Sequence, residues 1–307
     1  MDTKENEDNL FNRLALFFIQ GLYNKSLNVA PEISHKPVVP GPLANIMSAF
    51  QMLQELSPYL KFAHFMANQA ILKAMRGVNE IHVIDLDIME GSQWPSLMVD
   101  LAMKGGPAAS IRVTAFTVDD QQTVHQAGIR QLHDPQLHMP NRSFASVRTF
   151  LDHMRKLLPK IVVLVEEEFN FLGVPSMSFV EFFCKSVHHY TALSDSFGTS
   201  FHGLGYKTGL KQTEEVLGIK IVDSVMRLPC DKEERMLMWG DGFFASLNGG
   251  FKPIPFTCYN IPQANYLANL FDKGYSVQHH NCRLALCWKS RPMLKASVWL
   301  PITKLML

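Results

Sequence analysis

The chain has 307 residues, of which 47% are hydrophobic and 19% charged, a balance that excludes intrinsic disorder. Its 29 Lys and Arg against 28 Asp and Glu leave a formal charge of +1, so no global excess draws it to phosphates and any basic surface is a local patch. Five cysteines (Cys184, Cys230, Cys258, Cys282, Cys287), none in a C-x-x-C pair, argue against a disulfide framework and a structural zinc.

The acid-rich start, Met1 to Asp8, has the wrong sign for a secretory leader. The apolar run Leu14 to Ile19 is far shorter than the ~20 residues of a membrane span. A soluble, intracellular protein with reduced thiols is expected. Leu10, Leu14, Phe17, Phe18 and Leu22 share one face of a first helix. Four prolines between residues 29 and 42 make a loop. Leu43, Ile46, Met47, Phe50 and Leu53 predict a second helix, and a third starts at Pro58 and ends at Gly77.

From residue 80 the pattern changes. Ile81 to Leu86 predicts a short buried strand, Trp94 to Leu101 a helix stopped at Gly105-Gly106, and Ile111 to Thr117 a second strand. That order reads as a parallel βαβ unit. A helix through Val147 and Leu158, a strand at Ile161–Val165 and a long helix from Phe179 continue the alternation. An α/β architecture follows, with a mostly parallel sheet covered on both faces. Tyr275–Gln278, Arg283–Trp288 and Lys295–Leu300 have short connections and close the sheet with an antiparallel hairpin.

Two places suit chemistry. The turn from Asp85 to Trp94 lies beyond a strand's carboxyl end, where α/β sheets bind ligands. A nucleotide-type cofactor needs several glycines there, and only Gly91 is present, so a capping or hydrogen-bonded turn is the stronger reading. Asp85 and Trp94 are accordingly expected to be structural. Glu166, Glu167 and Glu168 end the third strand. They suit a shared proton or a metal, but a solvated or partner-facing acidic rim is the simpler reading. His188-His189 and His279-His280 are adjacent pairs whose side chains diverge, which makes them poor metal ligands. Lys289, Arg291 and Lys295 near Trp288 and Trp299 form either a basic aromatic edge or a set of internal pairs, with Arg291 meeting an acidic turn. Phe182, Phe183 and Tyr190 read as core ahead of interface.

Several blocks in order resemble one family. Ile81-His82-Val83-Ile84-Asp85, then Gly91, Gln93 and Trp94, resembles the VHIID motif of the plant GRAS family. Residues 57–71 resemble its lead-in, and Glu166–Glu168 with Phe179–Ser196 resemble its second leucine-rich region. Glu233-Glu234-Arg235, Trp239 and Gly250-Phe251 are similar to its PFYRE region. Trp288, Arg291, Ser297, Val298 and Trp299 match its closing SAW motif. The lead-in, the glutamates and the Trp-Lys-Ser-Arg ending look most like its nodulation-signaling branch.

The resemblance implies one domain over 1–307. A helical cap (1–77) with a partial first leucine-rich region would cover a Rossmann-type, methyltransferase-like core (78–307). It implies a nuclear transcriptional regulator, with the cytoplasm as a second compartment, and neither catalysis nor a cofactor. Partners would be other GRAS proteins or transcription factors, by homo- or hetero-dimerisation, and promoter DNA met directly or through them. The N-terminal helices and the helix from Phe179 would supply apolar contact surface. Two other readings stay open. One is a small-molecule methyltransferase-like enzyme using the Asp85–Gln93 turn. The other is a truncated, impaired copy, since residues 118–143 are short for the family.

Overall fold

The computed structural model describes residues 2–27, 51–86, 91–103, 110–115, 149, 152–167, 178–202, 207–227 and 250–302. The proline-rich loop, the first half of the second predicted helix, residues 118–143, Glu168, Cys230 and the segment around Glu233 and Trp239 lie outside these residues. The first helix, α1 (Asp2–Ser26), buries Leu14 and Phe18, and residues 51–56 are helical as predicted. The next long helix, α2 (Pro58–Ala74), starts where the sequence places it: Ser57 accepts the Tyr59 amide and Pro58 fills the first turn. Gly77, at φ +73°, is left-handed just past its end.

Strands β1 (Glu80–Asp85) and β2 (Ser110–Ala115) pair in parallel, with α3 (Gln93–Met103) between them. The expected βαβ unit is present. Its burial differs from expectation: both strands alternate exposed and half-buried, and neither has a buried residue. Ile84 is exposed.

The third strand departs further. β3 (Val162–Glu167) was expected in the parallel sheet, but it pairs antiparallel with the last strand, β7 (Arg291–Pro301). The described sheets are therefore one parallel pair and one five-stranded antiparallel sheet, not a mostly parallel sheet. The physical reason lies in charge and register. Glu166 falls opposite Lys295, which neutralises a carboxylate that a buried strand could not otherwise carry.

The antiparallel sheet runs β3-β7-β6-β5, with β5 (Tyr275–His280) and β6 (Arg283–Trp288) forming the predicted hairpin ladder with β7. β4 (Phe251–Ile254) continues the line of β6 along β7. β7 is buried without interruption from Met293 to Trp299, as a central strand covered on both faces must be. The β6–β7 turn places Lys289 and Ser290 at positive φ, the backbone of a tight two-residue hairpin.

Helices α4 (Phe179–His202) and α5 (Lys207–Arg227) pack with α1 and the sheet in one contiguous core. A Ser178–Glu181 capping box opens α4: the Ser178 amide and hydroxyl donate to Glu181 at 2.6 and 2.9 Å. Phe182 and Tyr190 are buried, and Phe183 stands edge-on to Phe18 at 5.5 Å, so these aromatics are core. Two glycines let α1 and α5 approach closely. A Cβ on Gly21 would lie 2.7 Å from Val225 Cβ, and one on Gly218 would overlap the Phe17 ring. Arg13 to Glu214 at 2.8 Å and Lys25 to the Met226 carbonyl at 3.0 Å fasten the same pair. Helix α6 (Asn260–Asn269) leads into β5.

Candidate functional site: a polar clamp and a buried acidic hub

The turn after β1 is fixed from its far side. Gly91 adopts φ +67°, a conformation glycine takes without strain, and its carbonyl receives the Trp94 amide at 3.0 Å. Gln93 then reaches α2. Its Nε2 donates to Asn68 Oδ1 at 3.0 Å, while Asn68 Nδ2 donates to the Gln93 carbonyl at 3.3 Å and to Ser96 Oγ at 3.0 Å. Gln54 donates to Ser92 Oγ. Asn68 is buried, so these bonds satisfy an amide that could not be left unpaired. Among the described residues of this turn, Ser92 and Gln93 are spent on joining α3 to the helices. Trp94 and Asp85 are half-buried, and His82 bonds Thr114 across the strand pair at 2.8 Å.

The acidic end of β3 is not a solvated rim. Glu166 and Glu167 are both buried, which corrects that expectation. Consecutive strand residues point to opposite faces, so the two carboxylates serve different neighbours. Glu166 Oε1 lies 2.9 Å from Lys295 Nζ. Glu167 faces the helices: Tyr59 of α2 donates its hydroxyl at 2.9 Å, Lys220 of α5 pairs directly, and His189 Nε2 of α4 lies 3.5 Å away. Burial alone would push the Glu167 carboxyl up, but the charge of Lys220 and then His189 hold it down to about 2. A carboxylate so strongly ionised is a poor proton carrier near neutral pH. Its geometry is that of a joint between three helices and a strand. Among the described residues no group of three or more His, Cys, Asp or Glu could hold a metal.

The GRAS domain family matches residues 2–135 and 129–300. This chain belongs to the GRAS domain family.

The two matched stretches meet inside the segment 118–143. The NODULATION SIGNALING PATHWAY 2 protein of Lotus japonicus is 33% identical over 94% of this chain and 67% of its own length. Its Medicago truncatula namesake is 34% identical over 82% of this chain and 58% of its own. This chain thus spans roughly three fifths to two thirds of these relatives. The crystal structure of SCL7 from Oryza sativa superposes with a TM-score of 0.68 at 22% identity, covering 94% of this chain and 88% of that one. This chain therefore shares the fold of a solved GRAS protein.

In the closing strands β6 and β7 the tryptophans are interior. Trp288 and Trp299 are buried, and Ser297 Oγ accepts Trp299 Nε1 at 2.9 Å. Trp288 Nε1 donates to Asp195 of α4 at 2.6 Å, and Lys289 pairs with the same carboxylate at 2.7 Å. Lys295 is buried against Glu166, and Val298 is buried beside it on β7. A basic aromatic edge is thereby excluded in favour of internal pairing. Arg291 is the exception to the expected partner: it meets His188 at 3.3 Å rather than an acidic turn. His188 and His189 do diverge, one to Arg291 and one to Glu167.

Tyr59, Asn68 and Asp195 complete these joints from inside the matched blocks, where nothing singled them out, and Lys220 does so from outside any block. Lys220 had one available clue. It sits on α5 among Leu217, Ile221 and Val225, and a cation there needs a buried anion.

Proposed function

We propose that this chain is a non-enzymatic, nuclear transcriptional regulator, with the cytoplasm as a second compartment. It acts by pairing with other GRAS proteins or transcription factors and reaches promoter DNA directly or through them. The core is a Rossmann-type scaffold under a helical cap (1–77), working as one domain. One observation carries this reading. At both ligand-type edges, the turn at Gly91–Gln93 and the end of β3, Gln93, Glu166 and Glu167 are engaged within the chain among the described residues. What remains for function is surface.

The outward face of α1 supports association. Leu16, Ile19, Tyr23 and Leu27 recur at helical spacing and are each more than half exposed, and Val180 is exposed at the start of α4. The deciding experiment is co-purification of the chain with a second GRAS protein, with and without promoter DNA. Ile19→Glu with Tyr23→Glu is expected to abolish pairing while leaving the thermal melt within a few degrees. Calorimetry with S-adenosylmethionine is expected to give no heat; measurable affinity would instead favour a methyltransferase-like enzyme.

A further inference from the structure

On the side of the antiparallel sheet where β4 meets β7, a groove of about 210 Å³ opens between the last turn of α2, the entry to β3 and the β4–β7 pair. Its floor is apolar: Ile161, Ile254, Phe256, Val298 and Leu300 line it. Lys73 and Lys160 stand at its rim, and both are exposed.

A third lysine belongs to the same mouth. Lys252 pairs with Leu300 and Ile254 with Val298 in the β4–β7 ladder. Residues two apart on a strand share a face, so Lys252 lies on the face of Ile254, beside the groove, and it too is exposed. Among the described residues, no acidic one lines the groove. None of the three lysines has an ion pair among the described residues.

A chain with a formal charge of +1 thus concentrates three cations around one apolar trough. We infer that this groove docks an acidic amphipathic helix of a partner protein, its aliphatic side chains on the floor and its carboxylates against Lys73, Lys160 and Lys252. Charge complementarity sets the sign of the partner, and the apolar floor sets its class. Nucleic acid would satisfy the lysines but give the half-buried Ile254 and Leu300 no apolar partner. The groove lies on residues distinct from the α1 face, so this inference goes beyond the proposed pairing of GRAS proteins.

The test uses the full chain and a fluorescent helical peptide of about 15 residues, with Leu along one face and Glu on the others. Controls are the same peptide with Leu→Ser, the same peptide with Glu→Lys, and a DNA duplex of similar charge. Anisotropy is expected to show the acidic Leu peptide binding at least about tenfold tighter than either control peptide, with weakening as salt rises. Lys73→Glu/Lys160→Glu/Lys252→Glu, all exposed positions, should melt like the wild type, lose about tenfold or more for this peptide, and gain for the Glu→Lys peptide. A single reversal, Lys160→Glu, serves if the triple variant fails to fold. Three outcomes overturn the inference: no binding of the acidic Leu peptide, equal binding of its Leu→Ser control or of DNA, or indifference to charge reversal. None of them bears on pairing through α1, which Ile19→Glu/Tyr23→Glu tests separately.

Discussion

Lys295 on β7 sits directly opposite Glu166 on β3, and their charged atoms meet at 2.9 Å with both side chains almost wholly buried. A pair of this kind is conditional on both members. Removing one leaves a charge in a place where water cannot reach it, which costs about 3–5 kcal/mol. Lys295→Met is therefore expected to lower unfolding free energy by about 3 kcal/mol or more, read as a fall in the urea midpoint at unchanged slope. Lys295→Met with Glu166→Leu should recover part of that loss. Additive losses in the double-mutant cycle would show that the two groups do not interact.

Acid should weaken the fold in two stages. Burial holds His64 neutral, lowering its pKa from 6.5 to about 4. The unfolded chain thus binds the extra proton first, and the stability from a neutral His64 is complete above pH 6.5 and lost as pH falls toward 4. That stage amounts to at most about 3 kcal/mol. Glu167, held down to about 2, contributes stability that is complete above pH 4.5 and lost between there and 2. Denaturation curves at stepped pH should show both slopes, and His64→Gln should flatten only the upper one.

The polar clamp predicts a local effect. Gln93→Ala removes the donor to Asn68 Oδ1 and leaves a buried amide short of a partner, at a cost of about 1–2 kcal/mol. Because β1, β2 and α3 contribute nothing to the main core cluster, the loss should fall on them. Hydrogen exchange is expected to quicken in β1 and β2 while β6 and β7 keep their protection.

The capping box at α4 is open to a simpler measurement. Ser178 accepts the Glu181 amide at 3.3 Å and donates to its carboxylate, and the Ser178 amide lowers the Glu181 pKa. Ser178→Ala should cost about 1 kcal/mol, seen as a thermal shift of a few degrees, and Ser178→Asp should recover most of it.

Local signals in the chain were readable where side chains answer to their own neighbours. Pro58 after Ser57 gives the start of α2, and the short connections between Tyr275–Gln278, Arg283–Trp288 and Lys295–Leu300 give the antiparallel ladder. The parallel pairing of Ile81–Asp85 with Ile111–Ala115 follows from strand, helix and strand in sequence. The placement of β3 did not follow. Val162 to Val165 is equally apolar for a parallel or an antiparallel neighbour, and the deciding partner, Lys295, is some 130 residues away. The same distance hides the hub. Three glutamates in a row look like a wet edge until Lys220, His189 and Tyr59 arrive from three separate helices. Helix α5 carries the helical period at Leu210, Leu217, Ile221 and Val225 but holds none of the motif residues.

The seating of α1 on α5 bears on how the molecule is made. The reciprocal notches at Gly21 and Gly218 join α1 to a segment that leaves the ribosome some 190 residues after it. At elongation rates of about 5–20 residues per second, α1 spends roughly ten seconds or more with Leu14 and Phe18 uncovered. Helix α1 thus waits for α5 before it can dock, and a newborn chain is open to capture or self-association there in the meantime. A ribosome-bound chain stalled before residue 207 should accordingly be protease-sensitive within α1, and one extended well past residue 227 resistant there.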